Sequence, residues 1–250
     1  MAGANRQDSE RLLALLHEQA RRRAQRRFYA LFPDADNEFA GEAIHAREGY
    51  PRHLEFFAAG MSYRERCFMA ANRVGKSVAG AYETACHLTG EYPDWWVGRR
   101  FSRPVRAWAA GKTNETTRDI VQSVLLGEIT GGGAAGSKGL SGTGIIPGKA
   151  LGKVSWKAGI PDLVDTVRVK HVSGGWSTLG LKSYQQGRGS FEGTAQHVIW
   201  LDEEPPTDVY GECLVRTATT QGIVMLTFTP LEGMSEVVLQ FLPGSTPKVA

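Results

Sequence analysis

The fold of this chain is decided by the stretch from Cys67 to Ala85, which reads CFMAANRVGKSVAGAYETA. The mostly apolar run from Arg66 to Ala70 predicts a buried strand, and the run from Ser77 to Leu88 has the apolar spacing of a helix. Between them lies Gly75-Lys76-Ser77, the end of the phosphate-binding pattern G-x-x-x-x-G-K-[ST]. The first glycine of that pattern belongs at position 70, where this chain has alanine. Strand, loop and helix therefore stand in the required order, with one altered position.

The residues of this loop have clear chemical reasons to be there. Gly75 lets backbone amides approach phosphate oxygens, Lys76 reaches the β- and γ-phosphates, and Ser77 offers a hydroxyl to Mg²⁺. The following helix directs the positive end of its dipole at the same anion. Alanine at position 70 costs little if its φ is negative, because the first glycine mainly eases the turn. The expected nucleotide-binding residues are Ala71, Asn72, Arg73, Val74, Gly75, Lys76 and Ser77.

A second run of this type, Gly111-Lys112-Thr113, competes with the first. It also follows a strand-like run, Val105 to Ala110, and precedes a helix-like run, Thr116 to Leu126. Five residues before its glycine the chain has Arg106. Because short motifs also occur by chance, the local pattern favours the loop at Lys76 but leaves both loops open.

A group of acidic residues follows another buried strand in HVIWLDEEPP, residues 197–206. The run from Val198 to Leu201 is continuously apolar, as expected of a strand covered on both faces. It ends in Asp202-Glu203-Glu204, and three carboxylates there are costly unless they hold a cation or do chemistry. The alternative is an acidic cap on the next helix. Pro205-Pro206 weakens it, because proline disfavours helical geometry in the residue before it.

Together the two segments predict the two halves of a site that hydrolyses a nucleotide. Asp202 and Ser77 would hold Mg²⁺, and Glu203 would orient and deprotonate the attacking water. Ligands bind at the carboxyl ends of strands in open α/β sheets, where both segments place these residues. Two half-motifs 125 residues apart in one chain are more specific than either alone.

A third strand, predicted from Ile223 to Phe228, leads into Thr229-Pro230. Thr227 and Thr229 would present hydroxyls at the same edge of the sheet. A hydroxyl there can sense the γ-phosphate and pass its loss to a neighbouring element. For each threonine alone, an ordinary β-branched strand residue is the alternative.

Composition limits the class of protein without choosing a function. The 250 residues carry a net charge of +3 and are 42% hydrophobic, which is ordinary for a globular chain. The mild positive charge permits contact with nucleic acid but does not argue for it. Three cysteines without C-x-x-C spacing predict reduced, buried thiols in a cytosolic protein. No apolar run approaches the ~20 residues that span a membrane, and the polar N terminus is unlike a secretory signal.

Three further segments have a predictable character. The stretch from Asp8 to Phe32 predicts a helix that carries RRRAQRR at Arg21 to Arg27, either a solvated face or a contact for phosphates or an acidic partner. Residues 127–152 contain ten glycines in 26 positions and predict a long flexible loop without regular elements. Val164 to Val172 and Trp176 to Tyr184 alternate as the two strands of a hairpin.

The order of MAANRVGKS, VIWLDEEP and LTFTP resembles the ATPase domain of the large terminase subunit of tailed bacteriophages. The resemblance covers roughly residues 45–245 and includes EYPDWWVGRRFSRPVRAWAAGKT and QGRGSFEGTAQHVIWLDEEPP. Loops of this family often depart from the standard pattern and carry an arginine, so Ala70 with Arg73 resembles a family variant. The resemblance implies a DNA-packaging motor that hydrolyses ATP with Mg²⁺.

The resemblance also implies roles for individual residues. Arg73 resembles a cis-acting catalytic arginine, and Asp202-Glu203 matches the metal-holding and catalytic acidic pair. The segment from Thr227 to Pro230, with Thr227 and Thr229, resembles the coupling motif. Arg188 resembles the arginine that one subunit offers to the next in a ring. Its alternative is a loop residue that pairs with Glu192 or with a phosphate of DNA.

The fold class implied is α/β, a three-layer P-loop NTPase of the additional-strand, catalytic-glutamate type with a mainly parallel central sheet. We expect an N-terminal helical extension at residues 1–45 and the P-loop ATPase domain at residues 46–250. Large terminases usually continue into a nuclease domain with a cluster of metal-binding carboxylates. No such cluster follows the ATPase motifs, so DNA cleavage is not expected of this chain.

The implied partners are double-stranded DNA, the portal protein, the small terminase subunit and further copies of the chain. DNA would be held through its backbone phosphates without sequence readout. The chain would form a homo-oligomeric ring when assembled and a monomer in isolation, in the host-cell cytoplasm and away from any membrane. Candidate contacts for DNA or a partner are the arginines at 21–27 and Lys138, Lys149 and Lys153. Aromatic residues from Tyr50 to Phe57 are candidates to stack on adenine.

Two other functions remain alternatives to the motor. A helicase-type DNA-dependent ATPase would need further motifs in a second motor domain, for which 250 residues leave no room. A non-hydrolysing module, degenerate at its loop, would only bind the portal or the small subunit. A turnover assay separates this last alternative from an ATPase.

Overall fold

The computed structural model describes residues 11–13, 15, 18, 26–131, 138–231 and 233–242. The chain divides into two compact units, Met1–Pro51 and Arg52–Ala250. This division lies six positions after the boundary that we expected between residues 45 and 46, and the roles assigned to the two parts stay predictions. Within the described ranges, no helix is both long and apolar enough to cross a membrane.

The first unit contains short elements. Residues 11–13, 15 and 18 have helical backbone, and α1 (Arg27–Ala30) is a single helical turn. Strands β1 (Asn37–Phe39) and β2 (Glu42–Ile44) form an antiparallel hairpin, and Arg47–Gly49 is a 3₁₀ turn.

The prediction of one continuous helix from Asp8 to Phe32 is wrong. Arg26 has extended backbone, with φ −119° and ψ 131°, and Phe32 lies in the left-handed region with φ 55°. Like charges one helical turn apart disfavour a helix, which the apolar spacing at the two ends of this stretch did not reveal. Residues 21–25 of the arginine run lie outside the described residues.

The second unit is an α/β fold whose elements alternate along the chain. Its helices are α2 (Pro51–Ala59, which begins at the boundary), α3 (Lys76–Thr89), α4 (Asn114–Thr116), α5 (Ser123–Leu126), α6 (Thr207–Ala218) and α7 (Glu236–Gln240), with a π-helical stretch (Thr117–Gln122) joining α4 to α5. Its strands are β3 (Glu65–Met69), β4 (Arg106–Gly111), β5 (Ile129–Thr130), β6 (Gly139–Leu140), β7 (Leu151–Trp156), β8 (Val164–Lys170), β9 (Trp176–Ser183), β10 (Val198–Asp202) and β11 (Ile223–Phe228). Short 3₁₀ turns occupy Gly148–Ala150, Tyr184–Gln186 and Arg188–Phe191.

Seven strands form the central sheet in the order β3-β11-β10-β4-β9-β8-β7. The first five are parallel to their neighbours, and β8 and β7 extend the sheet in antiparallel fashion. The additional strand β11 lies between the phosphate-loop strand β3 and the acidic strand β10. This order confirms the predicted fold class, because parallel pairing brings the carboxyl ends of β3, β11, β10 and β4 to one edge.

Helices cover both faces of this sheet. On one face α3 packs closely over β10: a Cβ added at Gly80 would lie 2.3 Å from Nε1 of Trp200, so only glycine fits there. On the other face Ile199 and Leu201 pack in a cluster with side chains of α6 and α7. Every residue of β10 is buried, as its continuous apolar run predicted. The result is the expected three-layer arrangement.

The glycine-rich segment 127–152 is more ordered than we predicted. Its described part contains the antiparallel pair β5 and β6 and a 3₁₀ turn. Ile145 and Ile146 are fully buried, and their amides donate to the main-chain oxygens of Val124 and Leu125 at 2.8 and 2.9 Å. Two adjacent isoleucines thus anchor the segment in the core, which an argument from glycine content overlooked. The hairpin after it is confirmed as β8 and β9.

Candidate nucleotide site

A cavity of 570 Å³ opens at the carboxyl ends of the parallel strands. It brings together most of the residues that the sequence nominated from three separate segments. Its lining residues are Asn72, Arg73, Gly75, Lys76, Ser77, Val78, Lys112, Ile120, Asp202, Glu203, Glu204, Thr227, Phe228, Thr229 and Leu231. Ala71 and Val74 belong to the same loop without lining the cavity, and Arg188 lies elsewhere.

The loop before α3 turns through two left-handed residues and leads directly into the helix. Ala70 has a negative φ, so the alanine meets no strain at the position of the usual glycine. The left-handed positions fall instead on Arg73 (φ 63°) and Gly75 (φ 81°). In the described part of the chain no side chain caps the start of α3 at Gly75, so the loop and the helix N terminus can present backbone N–H groups to an anion. The altered first position is therefore compatible with a working loop.

Lys76 holds its charge inside this loop. Its Nζ donates a hydrogen bond to the main-chain oxygen of Ala71 at 2.6 Å, and the side chain is only 8% exposed. Burial lowers the pKa of Lys76, an effect that the nearby charge of Asp202 opposes. The ammonium group is thus held beside the loop main chain, at the cavity.

The two half-motifs meet at Asp202. Its Oδ1 accepts hydrogen bonds from the hydroxyls of Ser77 at 2.8 Å and Thr227 at 2.7 Å. The Thr227 hydroxyl in turn accepts from Nε1 of Trp200 at 2.7 Å. Burial raises the pKa of Asp202 to about 6, although the two hydroxyl donors lower it. The Asp202 carboxylate is therefore buried and oriented, and a bound cation would stabilise its charge.

Glu203 lines the cavity and has an unusual backbone conformation. Its φ is 66°, in the left-handed region that non-glycine residues seldom occupy. Its amide donates to the main-chain oxygen of Thr227 at 3.0 Å. The hydroxyl of Tyr184 lies 2.9 Å from the main-chain oxygen of Asp202 and 3.1 Å from that of Glu203. No motif had nominated Tyr184, and only the pairing of strands places it here.

Glu204, unlike Glu203, has a side-chain hydrogen bond with the N-cap residue of helix α7. Its Oε1 accepts a hydrogen bond from the hydroxyl of Ser235, which also caps α7 by accepting from the amide of Val238. Its Oε2 is buried and has no hydrogen-bond partner among the residues that the structure describes. Helix α6 begins only after Pro206 and has no side-chain cap. The alternative of an acidic helix cap is therefore not what these carboxylates form.

The second Gly-Lys-Thr run is a helix cap and not a second phosphate loop. Thr113 and Thr116 form a reciprocal capping box at the start of α4. The amide of Gly111 donates to the Thr117 hydroxyl at 3.2 Å, and the amide of Asn114 donates to Gln185 at 3.3 Å. Amides that would bind phosphate are thus occupied within the chain. Lys112 nevertheless lines the same cavity from the β4 side, a placement that the local motif did not predict.

Thr229 connects the end of β11 to the phosphate loop. Its hydroxyl oxygen lies 2.9 Å from the main-chain oxygen of Ala70 and 2.8 Å from Oδ1 of Asn72. Together with the Thr227 contact to Asp202, both threonine hydroxyls of this strand end have specific partners. Neither behaves as an ordinary β-branched strand residue, and the coupling role stays a prediction.

Arg188 lies away from its own chain's cavity. Its Nε is 3.1 Å from Glu212 and 3.7 Å from Glu192, and the side chain is 56% exposed. The pairing with Glu192 was the alternative that the sequence allowed. An exposed arginine outside the cavity has no direct contact with its own nucleotide site, and action on a neighbouring subunit stays a prediction.

The structure changes the prediction for the aromatic residues that were candidates to stack on adenine. Phe56 and Phe57 are buried in the core, so their rings are not available to stack on adenine as we expected. His53 lies against the phosphate loop instead, since a Cβ added at Gly75 would be 3.1 Å from its Nε2. Its amphipathic position on α2 gave no signal of this contact.

The basic candidates and the cysteines have defined surroundings. Lys138 pairs with Asp162 at 2.6 Å and Lys149 with Glu91 at 3.4 Å, whereas Lys153 is exposed. That these lysines contact DNA or a partner stays a prediction. All three cysteines are free thiols, two of them buried, and Cys67 is partly exposed, contrary to our expectation of three buried thiols.

The donor set fits Mg²⁺ bound together with a nucleotide. A hydroxyl and a carboxylate converge at Ser77 and Asp202, and Mg²⁺ prefers one or two such oxygen ligands completed by phosphates and water. Within the described ranges, no group of three or more His, Cys, Asp or Glu side chains is arranged to hold a metal ion by itself. The site therefore suits a metal that arrives with the nucleotide.

Known proteins similar to this chain are large terminase subunits. Their counterpart in Salmonella phage P22 is 42% identical over 221 residues, in an alignment that covers 80% of this chain and 43% of that protein. The chain thus spans less than half the length of this relative. Solved structures with a similarity include the large terminase of a thermophilic bacteriophage in complex with ADP, at 12% identity and a TM-score of 0.44, covering 71% of this chain and 37% of that chain. The HK97 bacteriophage large terminase matches at 12% identity and a TM-score of 0.43, covering 72% of this chain and 32% of that chain.

A protein-family model matches most of the chain and shows which residues resemble the family. The model described as terminase large subunit, T4likevirus-type, N-terminal, matches residues 67–249, which include the phosphate loop, the acidic strand and the strand that ends in Thr229. These are the segments that form the cavity. The chain therefore belongs to the terminase large subunit family and corresponds to the N-terminal part of its members.

Proposed function

We propose that this chain is the ATPase part of a DNA-packaging motor and hydrolyses ATP with Mg²⁺. The observation that carries the proposal is the 2.8 Å hydrogen bond between Ser77 and Asp202, residues 125 positions apart. It joins the phosphate loop to the acidic strand in one cavity. A chance Gly-Lys-Ser run would have no reason to end beside a buried carboxylate.

The cavity residues divide the work of hydrolysis. Lys76 would bind the β- and γ-phosphates, while Ser77 and Asp202 would hold Mg²⁺. When bound, the metal neutralises charge that develops on the phosphates. Glu203 would orient the attacking water and accept its proton. These roles agree with the burial of Lys76 and Asp202 and with the place of Glu203 in the cavity lining.

Two arginines would complete the site from different sides. Arg73 lines the cavity from within the loop and would act in cis on the phosphates. Arg188 is exposed outside the cavity and would act on the site of the next subunit. An arginine beside the γ-phosphate is worth ~10³–10⁵ in rate, because it stabilises transition-state charge.

Hydrolysis would be coupled to the movement of double-stranded DNA into a procapsid. Membership in the terminase large subunit family supports this part of the proposal. The partners would be the portal protein, the small terminase subunit and further copies of the chain in a ring, in the host-cell cytoplasm. Thr227 and Thr229 would pass the loss of the γ-phosphate to β11, since one contacts Asp202 and the other contacts the loop.

Phosphate release by the purified chain tests the proposal. With ATP and Mg²⁺ we expect steady turnover that EDTA abolishes. Ser77→Ala should reduce turnover by at least ~10²-fold, because a hydroxyl ligand of the metal and a partner of Asp202 are lost. Ser123→Ala is the matched control, since Ser123 is an exposed serine of helix α5, and it should keep full turnover.

The alternative of a non-hydrolysing binding module predicts a different result. In that case the wild-type chain would release no phosphate above the background of Ser77→Ala at any Mg²⁺ concentration. Addition of linear double-stranded DNA extends the test to coupling. A motor part should respond to DNA with a changed turnover rate, whereas a plain phosphatase should not.

A further inference from the structure

Tyr184 is a buried residue beside the acidic strand to which no motif assigns a role. It follows strand β9, and its side chain is only 6% exposed. Its hydroxyl lies within hydrogen-bond distance of two consecutive main-chain oxygens, those of Asp202 at 2.9 Å and Glu203 at 3.1 Å. A single phenolic proton is therefore shared between both carbonyls at the point where β10 ends.

These contacts fall on one of the two non-glycine residues of the cavity lining that have left-handed backbone. Glu203 has φ 66°, a conformation that a side chain with a Cβ rarely adopts unless its surroundings hold it there. The peptide groups on both sides of its Cα are held. The amide donates to the main-chain oxygen of Thr227, and the carbonyl accepts from Tyr184. The direction of the Glu203 side chain is thus set by hydrogen bonds to its backbone.

The tyrosine is itself fixed well enough to hold another residue. Ser183 and Gln186 form a reciprocal capping box around the turn that contains it. The amide of Gln185 donates to the main-chain oxygen of Lys112 at 3.1 Å, which ties the turn to the end of β4. The ring packs against Phe191 with 6.4 Å between centroids. The hydroxyl therefore has a defined position relative to β10.

We propose that Tyr184 is a positioning residue for hydrolysis, whose hydroxyl holds the Glu203 peptide in the conformation that directs the carboxylate at the attacking water. The proposal rests on the proposed function, because it assumes that Glu203 acts on water. Tyr184 does not line the cavity, so it acts on the reaction only through the main chain of Asp202 and Glu203 that it holds. Removal of the Tyr184 hydroxyl should therefore slow the chemical step and leave nucleotide binding unchanged.

Tyr184→Phe tests this directly, since phenylalanine keeps the ring and its packing and lacks only the hydroxyl. We expect kcat to fall by about tenfold, the size expected for a lost positioning hydrogen bond, with KM and ADP affinity within about twofold of wild type. Retained ADP affinity also shows that the variant is folded. An unchanged kcat, or an equal loss in ADP affinity, would overturn the proposal.

Tyr210→Phe is the matched control. Tyr210 is also buried, at 1% exposure, and its hydroxyl donates to Glu65 at 2.7 Å, away from Glu203. Both variants should lower the urea midpoint of unfolding to a similar extent, but only Tyr184→Phe should lower kcat. If both lower kcat equally, the effect belongs to general packing and the proposal fails.

A double variant shows whether the effect passes through Glu203. In a Glu203→Gln background, Tyr184→Phe should cause no further loss in the single-turnover rate, whereas independent roles would multiply. The wild-type chain separates the two proposals. If it releases no phosphate, the proposed function fails. If it turns over and Tyr184→Phe matches it, only the role of Tyr184 is overturned.

Discussion

The hydroxyl of Thr229 lies 2.9 Å from the main-chain oxygen of Ala70, the residue that replaces the first glycine of the phosphate loop. The same hydroxyl is 2.8 Å from Oδ1 of Asn72. The end of β11 is thereby fastened to the beginning of the loop. A shift of the loop on loss of phosphate would be felt directly by the strand that also carries Thr227, the partner of Asp202.

Thr229→Val should weaken nucleotide binding by about fivefold, because the loss of one hydrogen bond costs about 1 kcal/mol and frees the loop to leave its phosphate-ready form. Thr229→Ser keeps the hydroxyl and should bind as wild type does. Titration of ADP by calorimetry measures both. Equal affinity in the valine and serine variants would mean that the contact does not hold the loop.

Lys76→Ala should abolish ATP turnover, whereas Lys112→Ala should keep it within about tenfold. Among the described residues, the helix that follows Lys76 has no side-chain cap at its N terminus, whereas the helix that follows Lys112 begins with a capping box that uses the amides there. Phosphate release by the two variants under identical Mg²⁺ and ATP measures the difference. A dead Lys112→Ala variant beside an active Lys76→Ala variant would reverse the assignment of the two loops.

Glu203→Gln should keep nucleotide affinity and lose at least ~10² in turnover, because the amide fills the same space and cannot accept a proton from water. Asp202→Asn should instead weaken binding that depends on Mg²⁺, since Asp202 faces the Ser77 hydroxyl. Nucleotide affinity with and without Mg²⁺ separates the two effects. Full turnover in Glu203→Gln would move the general base elsewhere.

Sequence reasoning identified the features that local patterns specify. Strand β11 was predicted with its observed bounds, and the continuous apolar run of β10 correctly predicted a strand buried on both faces. The sequence also nominated the loop at Gly75-Lys76-Ser77 and the acidic residues at 202–204, because each motif needs only a few residues at fixed spacing, and the structure brings the two segments to one cavity.

The features that were missed depend on which strands become neighbours. Tyr184 reaches Glu203, and Lys112 enters the cavity, because β9, β4 and β10 are adjacent in the sheet. Nothing in the residues around Tyr184 indicates that pairing. The extended backbone of Arg26, which interrupts the predicted helix, and the burial of Ile145 and Ile146 in the glycine-rich segment are likewise features that composition alone does not show.

Glu83→Gln should destabilise the fold by about 3–5 kcal/mol, because it leaves a buried cation without its counter-charge. Glu83 is fully buried on α3, where its carboxylate accepts from Arg66 at 2.6 Å and lies 3.1 Å from Nε2 of His87. Burial opposes ionisation of Glu83, but Arg66 and His87 outweigh it and lower the pKa. Urea unfolding at pH 7 measures the loss.

Two further measurements check the Glu83 prediction. Glu55→Gln removes an exposed partner of Arg52 and should change stability by less than about 1 kcal/mol. The pKa of Glu83 is lower in the folded state than its ordinary value of 4.5. The stabilisation that Glu83 gives the fold is therefore fully present above pH 4.5 and is lost as the pH falls from 4.5 through the folded-state pKa. Equal midpoints for Glu83→Gln and wild type at pH 7 would refute the stabilising pair.

Arg188→Ala should slow hydrolysis only where subunits meet. The side chain is exposed outside its own cavity, where it pairs with Glu212 and Glu192, so it has no contact with its own nucleotide site. In dilute chains, turnover should change by less than about twofold. In an assembled motor the loss should be ~10²-fold or more, because an arginine supplied to a neighbouring site stabilises transition-state charge. Arg216→Ala is the matched control, since Arg216 pairs with the same Glu212 at 3.0 Å. This variant should lower turnover only slightly, both in dilute chains and in the assembled motor.

Mixed assemblies give the decisive form of the Arg188 test. Arg188→Ala subunits keep Glu203, and Glu203→Gln subunits keep Arg188, so the two defects lie on opposite sides of a shared interface. Where a Glu203→Gln subunit offers its arginine to an Arg188→Ala neighbour, that neighbour's site is complete and should hydrolyse ATP. The blend should therefore be more active than either variant alone. If dilute chains lose as much activity as the assembled motor, or if the blend stays inactive, Arg188 acts within its own chain.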